Sequence, residues 1–314
     1  MRKKMEQALK DFHWGREIEI QQYLQPLTAK EALRMLAEHE GRALVIAGGT
    51  DVIPMLRQGD IEADVLVDIS RLPEMGSIEF EGDLISLGGL VTHAQIASSP
   101  LIREKAGLLA EAAGTVGSPQ IRNVATVAGN LVSAQPAADV TLPLLALNAR
   151  VTILSPKGER EVPLTQFFPR QGRPAIDCRR EILTRIRFSA LQKSQGGCYL
   201  RLSLRKALAL PMLAAAIVVA VDKEKSAIKE AAISLGPVAP TPFRAWKTEA
   251  GLRNAPISKA TLEGAARTAL EEANPRSSLL RGSTEYRKAM VKVFVKRGLS
   301  RALANVGAAL AEEI

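Results

Sequence analysis

The stretch that most constrains this chain is Leu44-Val-Ile-Ala-Gly-Gly-Thr-Asp51. An apolar run of strand-forming residues stops at two consecutive glycines. A hydroxyl and a carboxylate follow, and then the helix-like Val52-Ile-Pro-Met-Leu-Arg57. Such a junction predicts a buried strand that turns directly into a helix. Backbone amides at the start of a helix point outward and its dipole favours an anion, so a phosphate is well placed there. Glycine has no Cβ and lets a ligand approach the backbone closely. The spacing is not GxGxxG, which disfavours a Rossmann dinucleotide site. Taken alone, a Gly-Gly turn of this kind is more often only a turn.

A second glycine-bearing stretch, Thr126-Val-Ala-Gly-Asn130, lies about 75 residues further on and reads as a Gly-Asn turn flanked by small residues. The Asn130 amide and the Thr126 hydroxyl are candidate phosphate ligands; a tight turn with a left-handed residue is the plainer account. Asp139 precedes a helical stretch, where it either caps the helix or accepts from ribose or ribityl hydroxyls. Two turns that both approach a ligand point to one extended, phosphate-containing cofactor held between two lobes.

The rest of the chain supplies those lobes. Residues 1–17 read as a short N-terminal extension. Ile18–Tyr23 reads as an opening strand, and Thr28-Ala-Lys-Glu31 as a capping box for a helix ended by Gly41. Ala43–Ala47 and Asp64–Ile69 complete a small α/β lobe over 18–76. A second lobe, 77–190, opens with a hairpin across Glu81-Gly82-Asp83. Its next element is one helix after Ser99-Pro100, with Leu101, Leu108, Leu109 and Ala112 on one face. Ala138–Leu147 reads as a short helix, Arg150–Pro163 as a hairpin, and Glu181–Phe188 as the closing strand. The polar segment from Ser189 to Gly197 marks a domain boundary. Beyond it lie three strands, a proline-rich break at Pro237–Pro242 and two helices, forming an α+β domain over 191–314.

Composition closes off several functions. Aromatic residues make up 4% of the 314 residues, too few to build a stacking surface for single-stranded nucleic acid. The two cysteines and three histidines lie at no metal-ligand spacing, so an iron–sulfur cluster bound by this chain alone is not expected. No membrane span or secretory signal is predicted, and the low cysteine usage fits the cytoplasm. No G-x-S-x-G elbow surrounds Ser118 or Ser133. Cys198 reads as core. His93 reads as a surface or capping residue, and Arg122 as either a phosphate contact or an exposed side chain. The net charge is +9, and residues 156–206 hold 12 Lys/Arg against 4 Asp/Glu. That block is either a solvated face or an electropositive surface for a dinucleotide or an acidic partner.

Several motifs together form a family pattern. Ala47-Gly-Gly-Thr-Asp51, Val67-Asp-Ile-Ser70, Leu90-Val-Thr-His-Ala94, Gly117-Ser-Pro-Gln-Ile-Arg-Asn123, Ala125-Thr-Val-Ala-Gly-Asn-Leu131 and Gln135-Pro-Ala-Ala-Asp139 occur in that order. With Leu235-Gly-Pro-Val-Ala-Pro-Thr-Pro-Phe-Arg244 they resemble the FAD-binding middle subunit of molybdenum hydroxylases, the xanthine dehydrogenase and carbon monoxide dehydrogenase family. The resemblance spans roughly residues 18–300. Each piece is weak alone, and the ordered combination is specific.

The resemblance implies an α+β protein. A two-lobed FAD-binding domain of the vanillyl-alcohol-oxidase (PCMH) type, with two α/β subdomains, would precede a C-terminal domain with a three-stranded sheet and helices. It places FAD contacts on Val45, Ile46, Ala47, Gly48, Gly49, Thr50, Asp51 and Val52, and on Thr126, Val127, Ala128, Gly129 and Asn130. Val116, Asp139 and Leu183 would join them, with Arg201, or in its place Lys206, approaching the flavin. Where the family usually has Gly-Gly-Asn this chain has Ala128-Gly129-Asn130, and the extra methyl would tighten or shift that turn. Also by resemblance, the function is that of an oxidoreductase subunit. Substrate would react at molybdopterin on a large partner subunit. Electrons would pass through [2Fe–2S] clusters on a small one to FAD here, then to NAD+ or another acceptor. No catalytic acid, base or nucleophile is expected in this chain. The alternatives are a self-contained flavin oxidase and a non-catalytic scaffold subunit that has lost FAD.

Overall fold

The computed structural model describes residues 18–205, 207–222, 224, 226–278 and 282–308. The expected extension at 1–17 and the alternative basic residue Lys206 lie outside the described residues.

The first lobe forms as its sequence pattern requires. β1 (Gln22–Leu24) and β2 (Ala43–Ile46) both pair in parallel with β3 (Val65–Asp68), giving the order β1-β3-β2. All of β3 is buried, which explains its unbroken apolar run Val65-Leu-Val67. Between β1 and β2, α1 (Ala29–Glu38) turns Ala32, Leu33 and Leu36 onto the sheet. The Thr28 hydroxyl accepts from the Glu31 amide, and the Glu31 carboxylate accepts from the Leu27 amide, so the start of the helix is capped. After β2, α2 (Val52–Gln58) ends at Gly59. The opening strand is shorter than Ile18–Tyr23 because only Gln22–Leu24 find partners on β3.

The second lobe is antiparallel throughout, which corrects the expectation of two α/β subdomains. β4 (Ile78–Glu81) and β5 (Leu84–Gly88) form the first hairpin, turning at Gly82. Six short helices follow: α3 (His93–Ser98), α4 (Pro100–Lys105), α5 (Gly107–Gly114), α6 (Pro119–Val124), α7 (Val127–Val132) and α8 (Thr141–Ala146). β6 (Arg150–Ser155), β7 (Gly158–Pro163) and β8 (Ile182–Ser189) complete a sheet of order β4-β5-β8-β6-β7. The hairpins β4–β5 and β6–β7 form its two sides, and β8 joins them by pairing antiparallel with both β5 and β6.

The single helix expected after Ser99 is broken in two. Ala106 leaves the helical region (φ −152°, ψ 49°), and Ile102 takes the buried place expected of Leu101. The turn-rich 114–123 segment folds into α6, with Ser118 as its cap.

The C-terminal part carries β9 (Gln195–Leu202), β10 (Leu213–Asp222), β11 (Ala227–Gly236), β12 (Phe243–Arg244), α9 (Trp246–Leu252), β13 (Ala255–Pro256), α10 (Lys259–Glu272) and α11 (Thr284–Asn305). Its sheet has five strands, not three. Three are long, and the two-residue β12 and β13 each pair with β11 at points too short to leave a periodicity in the sequence.

Cys198, Ile217 and Val219 face α10 and α11, and Cys198 Sγ reaches the Gly298 carbonyl. Ala214, Ala216 and Val218 join the core of the second lobe. The Ser234 hydroxyl donates to Leu142 O on α8 at 2.6 Å. Coverage on both faces accounts for the nearly continuous apolar run of β10.

Candidate functional site

At the end of β2 the chain passes through Ala47, Gly48 and Gly49 into Thr50, Asp51 and α2. Both glycines are required, for different reasons. Gly49 has φ +69°, a left-handed conformation that costs an ordinary residue roughly 1–2 kcal/mol. At Gly48 an added Cβ would stand 1.9 Å from Val124 O, at the end of α6. The first turn therefore lies against the approach to the second. Val45 N–H donates to Cys178 O at 3.2 Å, which fixes the strand beneath the turn. Asp51 occupies the cap position of α2 without a side-chain cap bond.

The second segment is not a glycine turn. Thr126 is the N-cap of α7, and its hydroxyl accepts from the Gly129 amide at 3.1 Å. Ala128, Gly129 and Asn130 are in the first turns of that helix, and among the described residues Gly129 and Asn130 are absent from those with positive φ. Asn130 Oδ1 accepts from the Thr141 hydroxyl at 3.4 Å. The Ala128 amide donates to Gly89 O, and the Val127 amide to Val91 O. The alanine methyl therefore sits in a helix facing Gly89, where it distorts no turn.

One cavity of about 1200 Å³ runs between these segments. It is larger than the roughly 300–1,000 Å³ typical of sites for drug-sized ligands, and its volume suits a dinucleotide. All the predicted contacts line it except Ile46, Val127 and Arg201. Ile46 and Val127 are buried in the cores on either side, as a strand and a helix require of every residue on the inward face.

Arg201 lies behind the wall. Its Nε donates to Asp139 Oδ1 at 2.8 Å, and its Nη2 donates to the Ala209 carbonyl. Tyr199 OH donates to the same carboxylate oxygen at 2.5 Å. Asp139 does not cap α8, whose cap position is Val140. Burial pushes the Asp139 carboxyl up, against the opposing pull of the Arg201 guanidinium and the Tyr199 hydroxyl. Burial and the neighbouring carboxylate together push the Tyr199 phenol well up. Removing one partner from a buried pair of this kind costs about 3–5 kcal/mol, because a charge is left uncompensated.

Three features of the site lay outside the sequence prediction. Tyr199 looked like one more residue of an apolar strand. Leu208, Ala209 and Leu210 close the cavity from the C-terminal side, and Leu208 N–H donates to Gly117 O across the gap. His93 is only 1% exposed, which corrects its reading as a surface residue; Thr92 does the capping. His93 N–H donates to Ala125 O, beside the N-cap of α7, and the residue lines the cavity. Burial, then the charge of Arg122, pushes its pKa down to about 4, so it is neutral at physiological pH. Among the described residues its Nδ1 is the one buried side-chain nitrogen or oxygen without a hydrogen-bond partner. Such a vacancy costs roughly 1–3 kcal/mol. Arg122 itself donates to Val116 O at 2.9 Å, holding the loop between α5 and α6.

Much of the basic block is committed within the fold. Arg187 pairs with Glu161, which Arg150 outside the block also engages, Arg160 pairs with Glu181, and Arg179 donates to Gly41 O and Glu62 O of the first lobe. Among the described residues no helix is long and apolar enough to cross a membrane.

The cavity lined by two segments, one from an α/β lobe and one from an antiparallel lobe, is a ligand site of dinucleotide size. Residues 16–189 match the family described as FAD binding domain in molybdopterin dehydrogenase, and residues 199–302 match the CO dehydrogenase flavoprotein C-terminal domain. The chain belongs to the flavoprotein subunits of the molybdenum hydroxylases, the xanthine dehydrogenase and carbon monoxide dehydrogenase family.

It is 31% identical over 290 residues to the putative xanthine dehydrogenase FAD-binding subunit of Escherichia coli, covering 92% of this chain and 98% of that one. It is 29% identical over 284 residues to the carbon monoxide dehydrogenase medium chain of Hydrogenophaga pseudoflava, covering 90% and 97%. A solved structure of carbon monoxide dehydrogenase from the same organism superposes with a TM-score of 0.87 at 29% identity, covering 93% of this chain and 99% of that one. These relatives are subunits of heteromeric oxidoreductases.

Proposed function

We propose that this chain is the FAD-carrying electron-transfer subunit of a heteromeric molybdenum-dependent hydroxylase or dehydrogenase. Residues 18–190 hold the cofactor between lobes 18–76 and 77–190, and residues 191–314 close the site. Bound FAD supplies the redox chemistry, taking electrons from [2Fe–2S] clusters of a small partner subunit and giving them to NAD+ or another acceptor. Substrate is oxidised at molybdopterin on a large partner subunit. The assembly is cytoplasmic, with no nucleic-acid partner.

The chain's own residues do the holding. The turn Ala47–Asp51 presents backbone amides from small residues that allow close approach. The start of α7 lines the cavity opposite it, with its own amides already donating to Val91 O, Gly89 O and Thr126. Asp139, fixed by Arg201 and Tyr199, offers a carboxylate to hydroxyl groups of the cofactor. Leu208–Leu210 restrict water from the C-terminal side. The observation that carries this reading is that two segments about 75 residues apart line one cavity of dinucleotide size.

The test is isolation of the chain with its native partners. A complex containing FAD, molybdopterin and iron–sulfur clusters, whose flavin leaves when this subunit is removed, is the expected result. A complex whose flavin stays with another subunit contradicts it.

A further inference from the structure

His93 is a buried imidazole in the wall of the cavity, with its Nδ1 unpaired. Its main chain is fixed beside the second cofactor segment by the bond from His93 N–H to Ala125 O and by the bridge between Thr92 and Thr126. The side chain lies in the cavity wall. Nδ1 is sealed from solvent with no donor or acceptor in reach. A lone pair left without a partner is tolerated better there than an N–H, which favours the tautomer with the proton on Nε2. Nε2 is not sealed in the same way, and the residue lines the cavity. Arg122 lies close enough to oppose a positive charge on the ring, so the group acts as a neutral donor.

We propose that His93 is a further cofactor-binding residue, donating its Nε2–H to an acceptor atom of the bound FAD. The proposal rests on the reading of this cavity as the FAD site. It accounts for a polar ring placed where a leucine would pack without leaving a nitrogen unpaired. Nδ1 stays unpaired in either state, and Nε2–H is the bond the cofactor completes, so part of the ring's role appears only on binding.

The test uses the full chain, stripped of flavin and titrated with FAD by the quenching of flavin fluorescence. Two variants separate hydrogen bonding from packing: His93→Phe fills the space without a donor, and His93→Gln keeps an N–H near the position of Nε2. His93→Phe is expected to weaken FAD binding by about tenfold or more. His93→Gln is expected to stay within about threefold of the wild type, and the FAD-free His93→Phe protein to unfold no more easily than the wild type.

Equal affinity for all three proteins overturns the proposal. So does equal loss in both variants together with a destabilised FAD-free fold, the signature of a ring that only packs. Wild-type protein that takes up no FAD overturns the reading of the site as well as the role of the histidine. An unaffected His93→Phe beside a binding wild type overturns the histidine alone.

Discussion

The two segments that line the cavity look alike in sequence and differ in structure. Ala47–Asp51 needs its glycines: one holds a left-handed φ, and the other leaves room for the Val124 carbonyl. Thr126–Asn130 is a capped helix start whose amides from Val127 to Asn130 all donate within the protein, and an alanine is accommodated there as a regular helical residue. Both segments thus reach the wall of one cavity, one through backbone freedom and the other through a threonine-capped helix. Glycine in a motif therefore carries information only where the backbone conformation or a neighbouring atom excludes a Cβ.

The sharpest way to break this contrast is to add one methyl group to each segment's logic. Gly48→Ala places its Cβ on the Val124 carbonyl, so the two lobes must separate. The expected result is loss of FAD binding and destabilisation of about 3 kcal/mol or more, measured by flavin titration and denaturant unfolding. Unchanged binding would show that the lobes do not need to meet at this point.

A comparable effect, dependent on pH, belongs to His93, whose main chain is held beside the second segment. In the unfolded chain His93 titrates at its ordinary value of 6.5, and in the fold its pKa is lowered to about 4. Between these two values the unfolded state binds the extra proton, so stability falls as pH drops through the window and changes no further below it. The full loss is about 3 kcal/mol. Unfolding of FAD-free protein across that range should therefore move in favour of His93→Phe over the wild type as pH falls. A constant difference would mean that the ring is not buried as described.

The smallest effect is expected at Ala128. Ala128→Gly should cost about 1 kcal/mol or less, from helix propensity alone, and should not tighten FAD binding. A clear gain in affinity would show that the methyl group does crowd the cofactor.

How much was legible follows from the same contrast. The β2 strand, the Gly48-Gly49 turn and α2 announced themselves, because a buried strand, a φ > 0 residue and an apolar helix each leave a local mark. The long strands β9 to β11 did so for the same reason. The helix α7 was mistaken for a turn because its Gly129 suggested one, while the cap on Thr126 is visible only as a hydrogen bond to an amide three residues on.

The antiparallel character of the second lobe depends on β8 entering between β5 and β6, a pairing about a hundred residues removed from β5 in sequence. The Tyr199–Asp139–Arg201 cluster joins residues from two sides of the proposed boundary. The burial of His93 arises from the packing of α3 against its neighbours. No local pattern encodes such meetings.

The central claim is that both segments clasp one FAD, and the most direct measurement is its stoichiometry in the purified full-length chain. Wild-type protein should take up one FAD per chain, show the flavin's visible absorption and release the flavin intact on denaturation, while Gly48→Ala takes up none. Wild-type protein that remains colourless in excess FAD, or a Gly48→Ala variant that fills its site as the wild type does, would contradict the account.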